Sequence, residues 1–229
     1  MAQGLQYHID IVFCIDVTGS MGPVIDVVKE NVRKFPSDLR ATLDKKGKIV
    51  NTLRIRTIAF RDFGNDTDAL SASEFFVVEP STELAKFESF VNGLSASGGG
   101  DEPESALEAV GIAQSSAWTH DGDKQRHVIV VFTDASAHKL ESRVGEVPAA
   151  LREQVPGSLD DLTDRWEGKN QGVRLLKEAR RLLVFGPDAY PWNVIGDSWS
   201  QTIWLPSQAG SGLDEVEYET ILKMVSESI

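Results

Sequence analysis

Two stretches of the chain are almost continuously apolar and rich in β-branched residues. Ile9-Asp10-Ile11-Val12-Phe13-Cys14-Ile15 and the run from His127 to Phe132 read as central strands covered on both faces. Leu53 to Phe60 begins with strict alternation and reads as a strand with one wetter face. Phe75-Phe76-Val77-Val78 reads as a short strand beside it, and Leu182–Phe185 and Thr202–Leu205 as two more. Between these runs the apolar spacing changes to three and four residues. Val24, Val27, Val28, Val32, Phe35, Leu39 and Leu43 mark a helix with one buried face, in which Pro36 predicts a kink or break. Leu84, Phe87, Val91 and Leu94 mark a second helix, and Ala106, Leu107, Val110 and Ala113 a third. Ser158 opens another, with Asp161 as its cap partner and Leu159, Leu162 and Trp166 on one face. A last amphipathic helix runs from about Asp214.

Alternating buried strands and helices predict an α/β fold: a doubly wound, mostly parallel six-stranded sheet flanked by helices on both faces. The Ile9–Ile15 and Val128–Phe132 strands, being the most apolar, are expected side by side at its centre. No repeat, low-complexity stretch or long linker divides the chain, so residues 1–229 are expected to form one domain. Ligands of such sheets bind at the carboxyl ends of the strands, where strand order reverses. The residues just past the two most buried strands therefore matter most.

Composition narrows the function classes. The chain has 229 residues, with 41% hydrophobic and 25% charged, which is ordinary for a globular protein that needs no disulfide or metal staple. Its 23 basic against 35 acidic residues give a formal charge of −12. That balance argues against nucleic acid and against an anionic membrane surface. The single cysteine, Cys14, excludes an internal disulfide framework and leans to a reducing compartment. The opening MAQGLQYHIDIVF has no basic, apolar or cleavage region of a secretory signal, and no apolar stretch approaches a membrane span. A cytoplasmic protein is the expectation.

The first buried strand runs into Asp16-Val17-Thr18-Gly19-Ser20. On a looped backbone the side chains at 16, 18 and 20 can converge, supplying one carboxylate and two hydroxyls. These are hard oxygen donors suited to Mg²⁺ or Mn²⁺, with Ca²⁺ a further hard cation. The second buried strand ends in Thr133-Asp134, which brings another carboxylate to the same sheet edge. Gly98-Gly99-Gly100-Asp101-Glu102-Pro103-Glu104 delivers a third at a helix start. Taken singly, Ser20 and Asp101 also fit helix N-caps, with Glu104 completing a capping box. Capping does not explain three loops converging on one edge.

These motifs together, DVTGSMG, GGGDEPE and VVFTDA, resemble the von Willebrand factor type A domain family, of a cytosolic, bacterial type. The resemblance covers about residues 7–134; residues 139–229 share only its order of strands and helices. It implies a Rossmann-like fold and a metal-ion-dependent adhesion site built from three loops. The family's Asp-x-Ser-x-Ser loop falls on Asp16, Thr18 and Ser20, its third-loop aspartate on Asp134, and its second-loop ligand, often threonine, on Asp101. A carboxylate at Asp101 would make three around the cation, which binds metal more tightly and attracts an acidic partner less.

The resemblance implies a non-enzymatic, metal-dependent protein–protein interaction module. Its cation would coordinate an oxygen from a partner protein, most simply an Asp or Glu side chain, in a complex that can include an ATPase or kinase. A haloacid-dehalogenase-like phosphoesterase is the alternative, because Asp16-Val17-Thr18-Gly19 resembles that nucleophile loop. That chemistry needs an acid two residues after the nucleophile, where Thr18 stands. A phosphate cradle on Gly98–Gly100 lacks the Gly-Lys-Ser/Thr ending of a P-loop. Cys14 reads as a core residue, His8, His120, His127 and His138 as scattered, and His120-Asp121-Gly122-Asp123 as a turn. Tyr190 and Trp192, in a loop near the rim of the site, read as core packing, with a protein interface the alternative if they are exposed.

Overall fold

A computed structural model describes residues 6–78, 81–100, 102–170, 174–207 and 218–229. The first apolar run forms the middle of β1 (Gln6–Asp16) and the second the end of β5 (Lys124–Phe132). Both are buried on both faces because the pleat sends alternate residues to different helical layers. Ile9, Ile11, Phe13 and Ile15 join one core with Val128, Val130 and Phe132. That core lies against α1 (Ile25–Lys45), α2 (Ser81–Asn92) and α7 (Tyr218–Ser228). Val12, Cys14, Ile129 and Val131 face the other way. They pack on α3 (Ala106–Gln114), α5 (Leu159–Trp166) and α6 (Trp192–Ser198). The polar member of the first run, Asp10, is buried and fully used. It takes two bonds from Arg54 at 2.7 and 2.6 Å and one from the Thr119 amide at 2.7 Å.

β1 pairs in parallel with β2 (Ile49–Phe60) on one side and β5 on the other. Beyond β5 lie β6 (Arg180–Pro187) and the edge strand β7 (Thr202–Ser207), also parallel. Two short antiparallel pieces pair with β2: β3 (Leu70–Ala72) and β4 (Phe76–Val77). The order is β3-β2-β1-β5-β6-β7, so the two most apolar strands are adjacent and central, as expected. Among the described residues the sheet has seven strands rather than the expected six. The additional one, Leu70-Ser71-Ala72, has three half-buried or exposed residues and carries no periodic signal. The chain leaves β1 toward β2 on one flank, and β5 lies on the other flank. The carboxyl ends of β1 and β5 therefore bracket a topological switch point.

Some details go beyond or fall outside the sequence reading. α1 runs unbroken through Pro36, whose ring sits on the buried face with Phe35 and Leu39. A proline there denies the Val32 carbonyl its helical donor and crowds it with the ring, and core burial on this face offsets that cost. α7 begins at Tyr218, and the expected start near Asp214 lies outside the described residues. A four-residue helix, α4 (Leu140–Arg143), follows the β5 loop. The Ser158 cap stands as read, its side chain accepting from the Asp161 amide.

Cys14 is a core residue: its thiol is buried, reaches the Ala109 carbonyl at 3.8 Å, and is pushed up to about 12 by burial. His127 is structural. Its Nε2 lies 2.8 Å from the Thr119 carbonyl, its Nδ1 accepts from the Leu176 amide, and the ring stacks on Trp118 at 4.9 Å. Burial pushes its pKa down to about 4, so the folded chain holds it neutral. The unfolded chain protonates it near 6.5, so its contribution to stability is complete above that value and is lost as pH falls toward 4. Denaturant titrations at pH 7 and at a pH of about 4.5 are expected to show a smaller acid loss in His127→Gln than in the wild type. The difference is on the order of 2 kcal/mol.

Candidate metal centre

Asp16 is the last residue of β1 and is completely buried. Its side chain organises the loop after it. Oδ1 accepts from the Thr18 amide at 2.9 Å and from Thr18 Oγ1 at 2.6 Å, closing a tight Asx turn. Oδ2 accepts from Thr133 Oγ1 at 2.7 Å, which ties the end of β1 to the residue just past β5. A single 3₁₀ turn, Gly19–Met21, then presents Ser20 at the surface. Its Oγ lies 3.2 Å from Thr18 Oγ1 and donates to Asp134 Oδ1 at 3.0 Å. Asp16, Thr18, Ser20 and Asp134, all read from sequence as ligands, thus form one connected string of oxygens across the switch point. Asp101, the fifth, lies outside the described residues.

The capping readings of Ser20 and Glu104 do not fit this geometry, and that of Asp101 falls outside the described residues. α1 starts at Ile25 with Val24 at its N-cap and no side-chain cap bond, so Ser20 belongs to the oxygen string. α3 starts at Ala106 with Ser105 at its N-cap, which places Glu104 ahead of the helix rather than inside a capping box.

The second loop is drawn against the first by its glycines. Gly98, Gly99 and Gly100 have φ of 72°, 97° and 79°, a region that favours residues without Cβ. The Gly98 carbonyl accepts from the Gly19 amide at 3.0 Å, and the Gly99 amide donates to Asp66 at 2.9 Å. The Gly99 amide that a phosphate cradle would use is therefore already committed. A Cβ on Gly99 would meet Glu104 Oε1 at 2.7 Å and Thr18 Cβ at 2.9 Å, so Glu104 and Thr18 flank the same point. The Glu104 backbone is fixed to the loop after β5: its amide donates to the Ser136 carbonyl at 3.0 Å, and its carbonyl accepts from the His138 amide at 3.0 Å. Its side chain is 4% exposed and Oε2 has no hydrogen-bond partner.

Two contributors were not singled out as site residues by sequence reasoning. Thr133 is the hydroxyl that orients Asp16, and its only sequence signal is its place beside Asp134 at a strand end. Glu104 is the buried acid of the second loop, and its signal is a carboxylate placed by Pro103 ahead of a helix. A further acid, Asp62, sits behind the site and is neutralised. Its carboxylate takes bonds from Arg143, from the Gly64 amide at 2.9 Å and from Asn65 at 2.5 Å. Trp192 is core, as read, and its indole nitrogen donates to the Ala135 carbonyl at 2.9 Å, bracing the loop that carries Asp134.

The electrostatics follow from crowding acids at one buried edge. Burial pushes Asp16 up to about 6, against the bonds from Thr18 and Thr133, with the charge of Asp134 adding to the rise. Burial also raises Asp134. Glu104 is pushed up to about 9 by burial and then by the charges of Asp16, Asp62, Asp66 and Asp134. Among the described residues, no three His, Cys, Asp or Glu side chains are drawn together as a ready-made metal cage. The donors in the string are two carboxylates and two hydroxyls, a set for a hard divalent cation. The orphaned acid beside them fits a positive charge better than it fits the bare protein.

Comparison with known proteins places this edge in context. A family model of the von Willebrand factor A domain matches residues 72–164. The stretch contains the second loop and Asp134. An alpha-protein kinase, vwkA, of Dictyostelium discoideum is 27% identical over 160 residues, covering 67% of this chain and 23% of that protein. The chain thus spans about a quarter of that relative's length. Among solved structures, proximal thread matrix protein 1 from the mussel byssus superposes with a TM-score of 0.53 at 10% identity. That match covers 99% of this chain and 49% of the other. The open conformation of the pilus adhesin SpaC from Lactobacillus rhamnosus GG gives a TM-score of 0.43 at 15% identity, covering 58% of this chain and 16% of that one. Over residues 72–164 the chain is similar to the von Willebrand factor A domain, and the α/β, Rossmann-like fold described above agrees with that similarity.

Proposed function

We propose that the chain is a metal-dependent protein-interaction module. Domains of this family mediate protein interactions, and no described helix is long and apolar enough to cross a membrane. In this reading Asp16, Thr18, Ser20 and Asp134 hold Mg²⁺ or Mn²⁺ at the carboxyl ends of β1 and β5. The bound cation supplies a Lewis-acidic position that takes an oxygen from a partner protein. The observation that carries the reading is the continuous oxygen string from Asp16 Oδ1 through Thr18 and Ser20 to Asp134. Thr133 keeps Asp16 aimed at the string. The single, buried Cys14 fits a cytoplasmic setting.

The reading is non-enzymatic. The residue two after Asp16 is a neutral hydroxyl that donates to Asp16 itself, so a phosphoesterase would lack its general acid there. The kinase activity in the name of the Dictyostelium protein belongs to a chain of which this one covers 23%. A complex with a kinase or ATPase is within the proposal as a partner.

Immobilised wild-type chain is expected to retain its partner in Mg²⁺ and release it in EDTA. Asp16→Ala should fail to retain the same protein in either buffer. Retention that is indifferent to both EDTA and the Asp16→Ala substitution would overturn metal dependence while leaving an interaction module.

A further inference from the structure

We propose that Glu104 is the third carboxylate of this cation site and that it sets which partner oxygen the cation accepts. The inference rests on the metal-dependent reading above. The family resemblance puts the second-loop ligand at Asp101, which lies outside the described residues; among the described residues the acid of that loop nearest the first loop is Glu104, beside Gly99 and Thr18. Glu104 is 4% exposed and its Oε2 has no hydrogen-bond partner, a state shared by the buried Glu108 of α3 but not by Asp10, Asp16 and Asp62, which are each bonded several times; of the two orphaned acids, Glu104 is the one beside Gly99 and Thr18. A buried carboxylate without a partner is costly, and a positive charge is the partner that removes the cost. Its backbone is locked to the loop carrying Asp134 through the Ser136 carbonyl and the His138 amide. Its Oε1 flanks the same point beside Gly99 as Thr18 does. The basic side chains near this edge are occupied, Arg143 by Asp62 and Glu146 and Arg61 by Ser97 and Asp68. Among the described residues no ion pair is made to Glu104.

The three carboxylates are not drawn together in this structure, so Glu104 would turn onto a cation held by Asp16 and Asp134; with all three around it, a divalent cation leaves a net charge of about −1 at the site. Such a cation holds firmly but draws an outside carboxylate poorly. The oxygen it accepts is therefore a neutral one, such as a backbone carbonyl, a hydroxyl or a side-chain amide. This alters the expectation of an acidic partner group.

Manganese is the probe. Electron paramagnetic resonance of Mn²⁺ titrated into metal-stripped protein reads the affinity, and water-proton relaxation of the bound ion reads its open positions. Glu104→Gln is expected to bind Mn²⁺ about tenfold to a hundredfold more weakly than the wild type. Its metal-free melting temperature should be equal or higher, since the amide relieves a buried acid. Acetate added to the Mn²⁺ complex should displace water from the Gln variant and not from the wild type. Equal Mn²⁺ affinity in the two proteins would overturn the role of Glu104 and leave the cation site standing. Mn²⁺ binding by neither would overturn the site and this inference together. Should the Gln variant fail to fold, Glu104→Met, apolar and of similar length, carries the same test.

Discussion

Replacing Asp16 by alanine is expected to abolish the thermal stabilisation that Mg²⁺ or Mn²⁺ gives the wild-type chain. A cation at about 100 times its dissociation constant contributes about 2.7 kcal/mol to folding when the unfolded chain does not bind it. Asp16 is the natural fulcrum of that effect, because both of its oxygens organise the site. One holds Thr18 in the turn, and the other receives Thr133 from across the sheet. The alanine variant also leaves the buried Thr133 hydroxyl without its acceptor, a cost of roughly 1–3 kcal/mol that would confuse a measurement of stability alone. Asp16→Asn separates the two effects. It retains an oxygen for one of the donors and removes the charge, so it should keep most of the metal-free stability and lose the metal response. Differential scanning fluorimetry of the three proteins, each with added metal and with metal plus excess EDTA, reads the outcome. A metal shift of wild-type size in either variant would remove Asp16 from the site.

Gly99→Ala is expected to have the second-largest effect, and a glycine control makes it interpretable. Alanine at φ 97° is strained, and its Cβ would press on Glu104 Oε1 at 2.7 Å and Thr18 Cβ at 2.9 Å. Strain in this region costs about 1–2 kcal/mol, and overpacking adds about 1–3 kcal/mol. Because the displaced groups belong to the first and second loops, the variant should lose cation binding as well as stability. Gly47 has a similar positive φ of 70° and nothing within 4 Å of an added Cβ. Gly47→Ala should therefore cost only the backbone strain and leave cation binding untouched. Equal behaviour of the two variants in urea unfolding and in Mn²⁺ titration would mean that the glycine loop does not approach the site as described.

The layers of the fold were legible because burial on two faces leaves a strong mark. A strand such as Ile9–Ile15 must be apolar at every position, and only Asp10, neutralised by Arg54, departs from that. The edges were less legible. β3 is three residues long and gains its place from pairing with Ile58, Ala59 and Phe60, a tertiary cause that leaves no periodicity. At Pro36 the break does not occur, because local propensity competes with a long buried helix face. At the site, the first and third loops could be read because each ligand comes directly after a buried strand. Glu104 could not be read as more than a helix-start acid. Its role depends on a bridge between residues 104 and 137 and on the absence of a buried partner for Oε2, neither of which is local in sequence. The pairing of Thr133 with Asp16 spans 117 positions and is equally invisible until β1 and β5 are set side by side.

Isothermal titration of Mn²⁺ into metal-stripped wild-type chain tests the central claim most directly. Saturable binding of one ion per chain, absent in Asp16→Ala, is the expected result. No binding heat in the wild type, confirmed by free Mn²⁺ remaining at its full paramagnetic signal, would contradict it.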